Sequence, residues 1–283
     1  MSKFFFSILI SFFTIVVNQP LLAKIESIDC LQQFINAAQE LPKDSLVIFD
    51  IDRTLLLMED CVLKPGKKSF LTQLDKIAAA NGYTLNSETR NLLLSKALLA
   101  TGHALVESCV VEFIQQLKSR QIRTMALTGG TPTGRLGDIP RMEKWRQSIL
   151  QQVGIDFSGA FAAFPEIRFS QDQVEAPAVF YQGILSASLV PKGKALIAFL
   201  QAVSFTPQLV IMLDDQSDAL ASVESALREK GINFRGYQYN YVENSLRSCE
   251  TASCSGEQQI LHLLKHQVWL RDSSKTNKCL FSS

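Results

Sequence analysis

Asp50 and Asp52 flank a single isoleucine directly after the apolar run 46–49, and this placement gives them the clearest chemical potential in the chain. In open α/β sheets, ligands and reacting groups gather at the carboxyl ends of strands. Two carboxylates so close in a turning segment can divide the work, one as nucleophile or metal ligand and the other passing protons, if their surroundings separate their pKa values. Taken alone, such a pair reads as a turn cap beside a solvated acid. Three other segments change that balance. Thr128 ends a second apolar run and precedes Gly129 and Gly130, which offers a hydroxyl and backbone N–H groups to a phosphoryl oxygen, although it is also ordinary turn chemistry. A third run, 210–213, ends in Asp214 and Asp215, and adjacent carboxylates there repel unless a cation neutralises them. A hard divalent ion with oxygen ligands, most simply Mg²⁺, meets that need. Lys192 and Lys194 flank Gly193 at the mouth of a predicted helix, where a lysine can neutralise a phosphate or a phosphorylated carboxylate, or simply be solvated.

The elements that must position these residues alternate between apolar strands and amphipathic helices, the pattern of an α/β domain with a mainly parallel sheet. Strands are expected at 46–49, 124–127, 179–185, 209–213 and 234–239. Helices are expected near 104–118, 142–153, 194–203, 219–230 and 257–270. Between the first two strands, Phe70, Leu71, Leu74, Ile77 and Ala78 fall at helical spacing and end at Asn81-Gly82, a C-cap signal. A second helix opens at Ser87. This block reads as a small helical cap inserted over the sheet at 60–102, with the core formed by 24–59 and 103–272 and a flexible tail at 273–283.

In that order, D-x-D-x-T after a strand, Thr after a strand, Lys before a helix and D-D after the next strand resemble the four-part signature of the haloacid dehalogenase-like superfamily. The resemblance runs from about Leu46 to Tyr239, and within the superfamily the chain looks like an exported bacterial branch of uncharacterised function. It implies a three-layer, Rossmann-like parallel sheet and a Mg²⁺-dependent phosphohydrolase acting on a small phosphomonoester. Asp50 would be the nucleophile that forms an aspartyl-phosphate, and Asp52 the general acid and base. Thr128, Gly129 and Lys192 would bind phosphate. Lys192 is preferred to Lys194 because Lys-Gly before the helix is the commoner form. Asp50, Asp214 and Asp215, with the main-chain carbonyl of Asp52, would hold the metal. Dehalogenation is disfavoured because such enzymes lack the second Asp. Two positions depart from the pattern: Arg53 stands where Gly or Asn is usual, and Ala219 where the exported branch tends to carry Asn. They favour a rival reading, a non-catalytic envelope or binding protein that keeps the fold.

Composition narrows the setting. The 283 residues include 28 Lys and Arg against 27 Asp and Glu, so there is no electrostatic footprint for nucleic acid. The mean hydropathy of +0.10 owes much to the N-terminus, where Lys3 precedes the apolar run 4–17, a polar break and Ala23. This is the layout of a signal peptide over 1–23, and the run is shorter than the roughly 20 residues that cross a bilayer. A periplasmic or secreted protein with no later membrane segment is expected. The six cysteines permit disulfides, with Cys249 and Cys254 close enough to pair, whereas Cys109 is expected as a buried small side chain. His262 and His266 lack the acidic residue of an H-E-x-x-H site.

Overall fold

The computed structural model describes residues 23–169, 176–242 and 256–272. Its strands are β1 (Ala23–Ile28), β2 (Ser45–Phe49), β3 (Leu56–Met58), β4 (His103–Leu105), β5 (Arg123–Thr128), β6 (Glu166–Arg168), β7 (Val179–Tyr181), β8 (Ile184–Ser186), β9 (Leu209–Asp214) and β10 (Asn233–Tyr239). Eight of them form one sheet in the order β1-β10-β9-β2-β5-β8-β7-β6, parallel from β1 through β8 and antiparallel over β7 and β6. β3 and β4 make a separate antiparallel pair.

Every residue of β2 is buried because helices cover both faces of the sheet. Val47 and Phe49 enter one apolar layer with Phe34 of α1 (Leu31–Ala37) and Phe113 of α4 (Cys109–Ser119). Leu46 and Ile48 enter the opposite layer with Phe199 of α6 (Lys192–Ala202) and Val223 of α7 (Ser217–Arg228). The period-two alternation of a strand thus feeds two cores at once. The expected mixed α/β fold, with a mostly parallel sheet between helical layers, is the observed one.

A third apolar cluster lies outside the sheet. α2 (Lys67–Ala80) and α3 (Ser87–Ala100) contribute Phe70, Leu74, Leu94 and Ala97, and α8 (Gly256–His266) returns to add Ile260 and Leu263. Trp269 donates its indole N–H to the buried Asp60 carboxylate at 2.8 Å, and Asp60 also accepts the Asp272 backbone N–H at 2.6 Å. The inserted block is therefore clamped by the C-terminal segment as well as by its own helices.

Three local expectations are corrected. The single strand expected over 179–185 is a hairpin, β7 and β8, because Gln182 and Gly183 both take positive φ, 48° and 82°. Such a turn folds an apolar run back on itself, and a Cβ at Gly183 would come 2.2 Å from the Phe157 carbonyl oxygen. The helix expected from 104 starts at Cys109, since residues 103–105 pair with β3 instead. Cys109 is consequently exposed at the amino end of α4, not buried, and like Cys30 it carries a free thiol. Cys61 is disulfide-bonded. Of the signal peptide expected over 1–23, residues 1–22 lie outside the described residues, as do the expected Cys249–Cys254 pairing and tail 273–283, while Ala23 begins β1. Among the described residues no helix is long and apolar enough to cross a membrane.

Candidate active site

β9, β2 and β5 are neighbours at the centre of the sheet, and their registers set Phe49 opposite both Leu213 and Ala126. The residues that follow therefore leave the sheet at one edge. Asp50 follows β2, Asp214 ends β9 with Asp215 behind it, and Thr128 ends β5. The chain runs from β2 to β5 and on to the edge strand β6, returns inward through β7 to β8, and then crosses to β9 on the other side of β2, so β2 and β9 border the point where strand order reverses. Crevices open at such points. Here one of about 410 Å³ is lined by Asp50, Asp52, Thr128, Gly129, Lys192 and Gln216, among others.

Lys192 is the hub. Its ammonium donates to Asp50 Oδ1 at 2.6 Å and to Asp214 Oδ2 at 2.7 Å, with all three side chains buried. Burial works against its charge, but Asp50 and Asp214 outweigh that and hold its pKa above the ordinary lysine value. Lys194, two residues on, is exposed. Gly193 explains how α6 brings Lys192 so deep: a Cβ there would meet the Ser222 carbonyl oxygen at 2.1 Å, so the glycine lets α6 lie against α7. Its N–H also donates to Ser222 Oγ at 3.1 Å.

One ammonium does not balance three carboxylates. Asp50, Asp214 and Asp215 each offer an oxygen within 4.8 Å of the others. Burial, followed by Asp214, pushes the Asp215 carboxyl up to about 6. Asp50 is raised well above the usual range by burial and by its acidic neighbours, against the pull of Lys192. Asp214 already accepts from Lys192 and, at 2.9 Å, from the Gln216 N–H. Asp215 Oδ1 is buried and has no hydrogen-bond partner among the described residues. An all-oxygen donor set with surplus negative charge and an orphaned carboxylate oxygen fits a hard divalent cation such as Mg²⁺.

Arg53 leans on this cluster, its Nε 3.5 Å from Asp215 Oδ2. It takes φ 67°, a left-handed conformation that glycine or asparagine adopts more cheaply. Asp52 stands apart from the acidic group. Its Oδ2 accepts from Arg146 Nη1 at 2.9 Å, so its contribution to a cation site would be its main-chain carbonyl. Arg146 belongs to α5 (Met142–Gln152), is almost fully buried, and also donates to Thr131 Oγ1 at 3.3 Å. Behind this pair lies a cavity of about 50 Å³ lined in part by Lys67, His103 and Trp145. His103 Nε2 is buried there with no partner among the described residues, and burial lowers the pKa of the ring.

Of the seven site residues expected from the sequence, Asp50, Asp52, Thr128, Gly129 and Lys192 line the crevice, and Asp214 and Asp215 cluster with Asp50. Arg146, Lys67 and His103, which line the cavity behind, were missed. Arg146 had one available signal: it falls on the same helical face as Met142, Ile149 and Leu150, where a charged residue is out of place unless paired. Ala219 and Asp218 line the crevice rim beside Ser222.

Fold and site together define an open, mostly parallel α/β protein with an acidic, lysine-bridged cluster at the central strand ends. The chain belongs to the family described as "Protein of unknown function (DUF2608)", whose model matches residues 24–274. A relative from Rickettsia bellii (strain RML369-C), named an uncharacterized protein, is 29% identical over 212 residues, covering 71% of this chain and 70% of its own. A second, from Rickettsia prowazekii (strain Madrid E), is 25% identical over 206 residues, covering 72% of each chain. Among solved structures, a "putative haloacid dehalogenase-like hydrolase" from Burkholderia xenovorans LB400 is similar at 17% identity, with a TM-score of 0.39, over 71% of this chain and 88% of that one.

Proposed function

We propose that the protein is an exported phosphohydrolase of haloacid dehalogenase-like type that transfers the phosphoryl group of a small phosphomonoester to Asp50 and then to water. The observation that carries the reading is the buried Lys192 ammonium held between Asp50 and Asp214, beside the unpartnered Asp215 oxygen. An Asp50 oxygen attacks phosphorus, the bond from phosphorus to the ester oxygen breaks, and the leaving oxygen takes a proton from Asp52. A water oxygen then attacks the phosphorus of the aspartyl-phosphate and gives a proton to Asp52, and the bond from phosphorus to the Asp50 oxygen breaks, releasing inorganic phosphate and restoring the Asp50 carboxylate. Arg146 occupies Asp52 Oδ2 and so leaves Oδ1 to carry the proton. Lys192, Thr128 and the Gly129 backbone hold the phosphoryl oxygens. A Mg²⁺ ion held by Asp50, Asp214, Asp215 and the Asp52 carbonyl would neutralise the surplus charge and polarise the phosphoryl group.

Export rests on the N-terminal pattern, and the mature chain is expected to begin at Lys24. The deciding experiment assays residues 24–283 against a generic aryl phosphate with Mg²⁺ and with chelator. Turnover that needs Mg²⁺ and disappears in Asp50→Asn, with the melting curve retained, supports the mechanism. Turnover at the native rate in Asp50→Asn overturns it, and no turnover on any phosphate ester favours the non-catalytic reading.

A further inference from the structure

The phosphoryl crevice opens sideways into a second groove of about 620 Å³, with Asp52, Gly129, Gly130 and Gln216 common to both. Its remaining wall comes from the cap, chiefly the amino end of α2. The charges on this wall are one-sided. Arg53, Lys67, Lys68 and Arg90 line it, whereas Asp52 is the one carboxylate in the lining. Asp52 is already taken by Arg146 at 2.9 Å, and Arg90 by Asp75 at 2.7 Å. Lys67 and Lys68 make no ion pair among the described residues.

Lys67 is the most telling of the four. It reaches from the cap to the phosphoryl loop and donates to the Gly130 carbonyl at 3.1 Å, which uses one of the three donors an ammonium has. It is partly buried and faces Arg146, a second cation. Burial and Arg146 lower its pKa to about 8, with Asp52 opposing. The helix behind it adds to the effect: α2 has Gly66 at its amino end, no side-chain cap and no acidic residue in its first turn.

Resting on the phosphohydrolase reading, we propose that this groove selects substrates whose leaving group carries an anionic group of its own, a carboxylate or a second phosphate, received by Lys67 and the adjoining cap cations. A neutral sugar or alcohol would leave the two lysines unpaired. A cationic leaving group would be repelled.

The test measures binding, so it does not depend on turnover. Calorimetry on the mature chain with Mg²⁺ compares three non-hydrolysable ligands that share a phosphonate: 3-phosphonopropionate, propylphosphonate and 3-aminopropylphosphonate. The anionic tail should bind roughly ten-fold or more tighter than the neutral one, as a charge-assisted hydrogen bond implies, and the cationic tail most weakly. Lys67→Met should bring the three affinities together, with Lys96→Met, a residue away from the groove, as the control. An ethane-1,2-bisphosphonate arm, equally resistant to hydrolysis, separates the two anion sources, since whichever of it and the carboxylate binds tighter marks the preferred one. Three equal affinities in the native protein, or a preference for the cationic tail, would overturn the inference while leaving the phosphoryl site standing. If neither the phosphonates nor inorganic phosphate bind, the phosphohydrolase reading itself fails and takes this inference with it.

Discussion

Arg146 reaches the general-acid candidate Asp52 from 94 positions away in the chain, its Nη1 2.9 Å from Asp52 Oδ2. The pair is lopsided in its surroundings. The Arg146 side chain is 5% exposed and that of Asp52 39%. Breaking the pair from the two sides should therefore cost different amounts. Asp52→Ala strands a buried guanidinium and should destabilise by roughly 2 to 3 kcal/mol, somewhat below the value for a fully buried pair because Asp52 is partly in water. Arg146→Met leaves Asp52 free to hydrate and should cost less. Chemical denaturation of both variants decides this, and the opposite order would mean that the guanidinium is satisfied elsewhere.

Gly193 is the residue that places Lys192. Gly193→Ala adds a methyl 2.1 Å from the Ser222 carbonyl oxygen and 2.9 Å from the Ala226 Cβ, neither of which can move without shifting α7. Overpacking of this kind costs about 1–3 kcal/mol. The expected result is a lowered melting temperature together with weakened binding of inorganic phosphate, because α6 carries Lys192 away from Asp50 and Asp214. A variant as stable as the parent would show that the two helices separate freely.

Much of this site was legible because the strands that carry it are buried on both faces. Apolar runs at 46–49, 125–127 and 209–213, alternating with amphipathic helices, fit strands covered on both faces, and the polar residues directly after them then emerge at one sheet edge. Arg146 and Lys67 were not legible in that way. Lys67 sits on a helix where a cation is ordinary, Arg146 on an apolar face that implies a partner without naming it, and only the tertiary fold brings one onto Gly130 and the other under Asp52. The hairpin at Gln182-Gly183 was hidden for a related reason. The apolar run masks a two-residue turn, whose geometry resides in backbone φ and in the closeness of Phe157 rather than in residue hydropathy.

Arg53 sets two effects against each other. Its φ of 67° costs about 1 kcal/mol relative to glycine, yet its guanidinium stands 3.5 Å from Asp215 Oδ2 and supplies charge that a metal would otherwise supply. Arg53→Gly should relax the turn and remove a competitor for Asp215. Mg²⁺ affinity, measured by calorimetry, should therefore rise several-fold in the variant. An unchanged or weaker affinity would mean that Arg53 helps to shape the cation site instead of standing in for the cation.

The crowding of carboxylates gives the metal-free protein a recognisable pH signature. The Asp215 carboxyl is raised from 3.8 to about 6, by burial first and by Asp214 second, with Arg53 and Lys192 opposing and Asp52 adding to the rise. A raised acid binds its proton more tightly in the folded state than in the unfolded one. The stabilisation is then full below about pH 4 and is lost as the pH climbs through about 6, with Asp50 extending the loss upward. Many other carboxylates titrate in the same window, so the useful quantity is the difference between the parent and Asp215→Asn. In chelator, the parent should lose stability relative to the variant as the pH rises from 4 to 7. Saturating Mg²⁺ should cancel that loss by neutralising the cluster, and at a hundredfold excess over Kd it should add about 2.7 kcal/mol to the parent. Parallel melting curves for parent and variant across the whole range, unmoved by Mg²⁺, would show that Asp215 is neither strained by its neighbours nor poised for a cation.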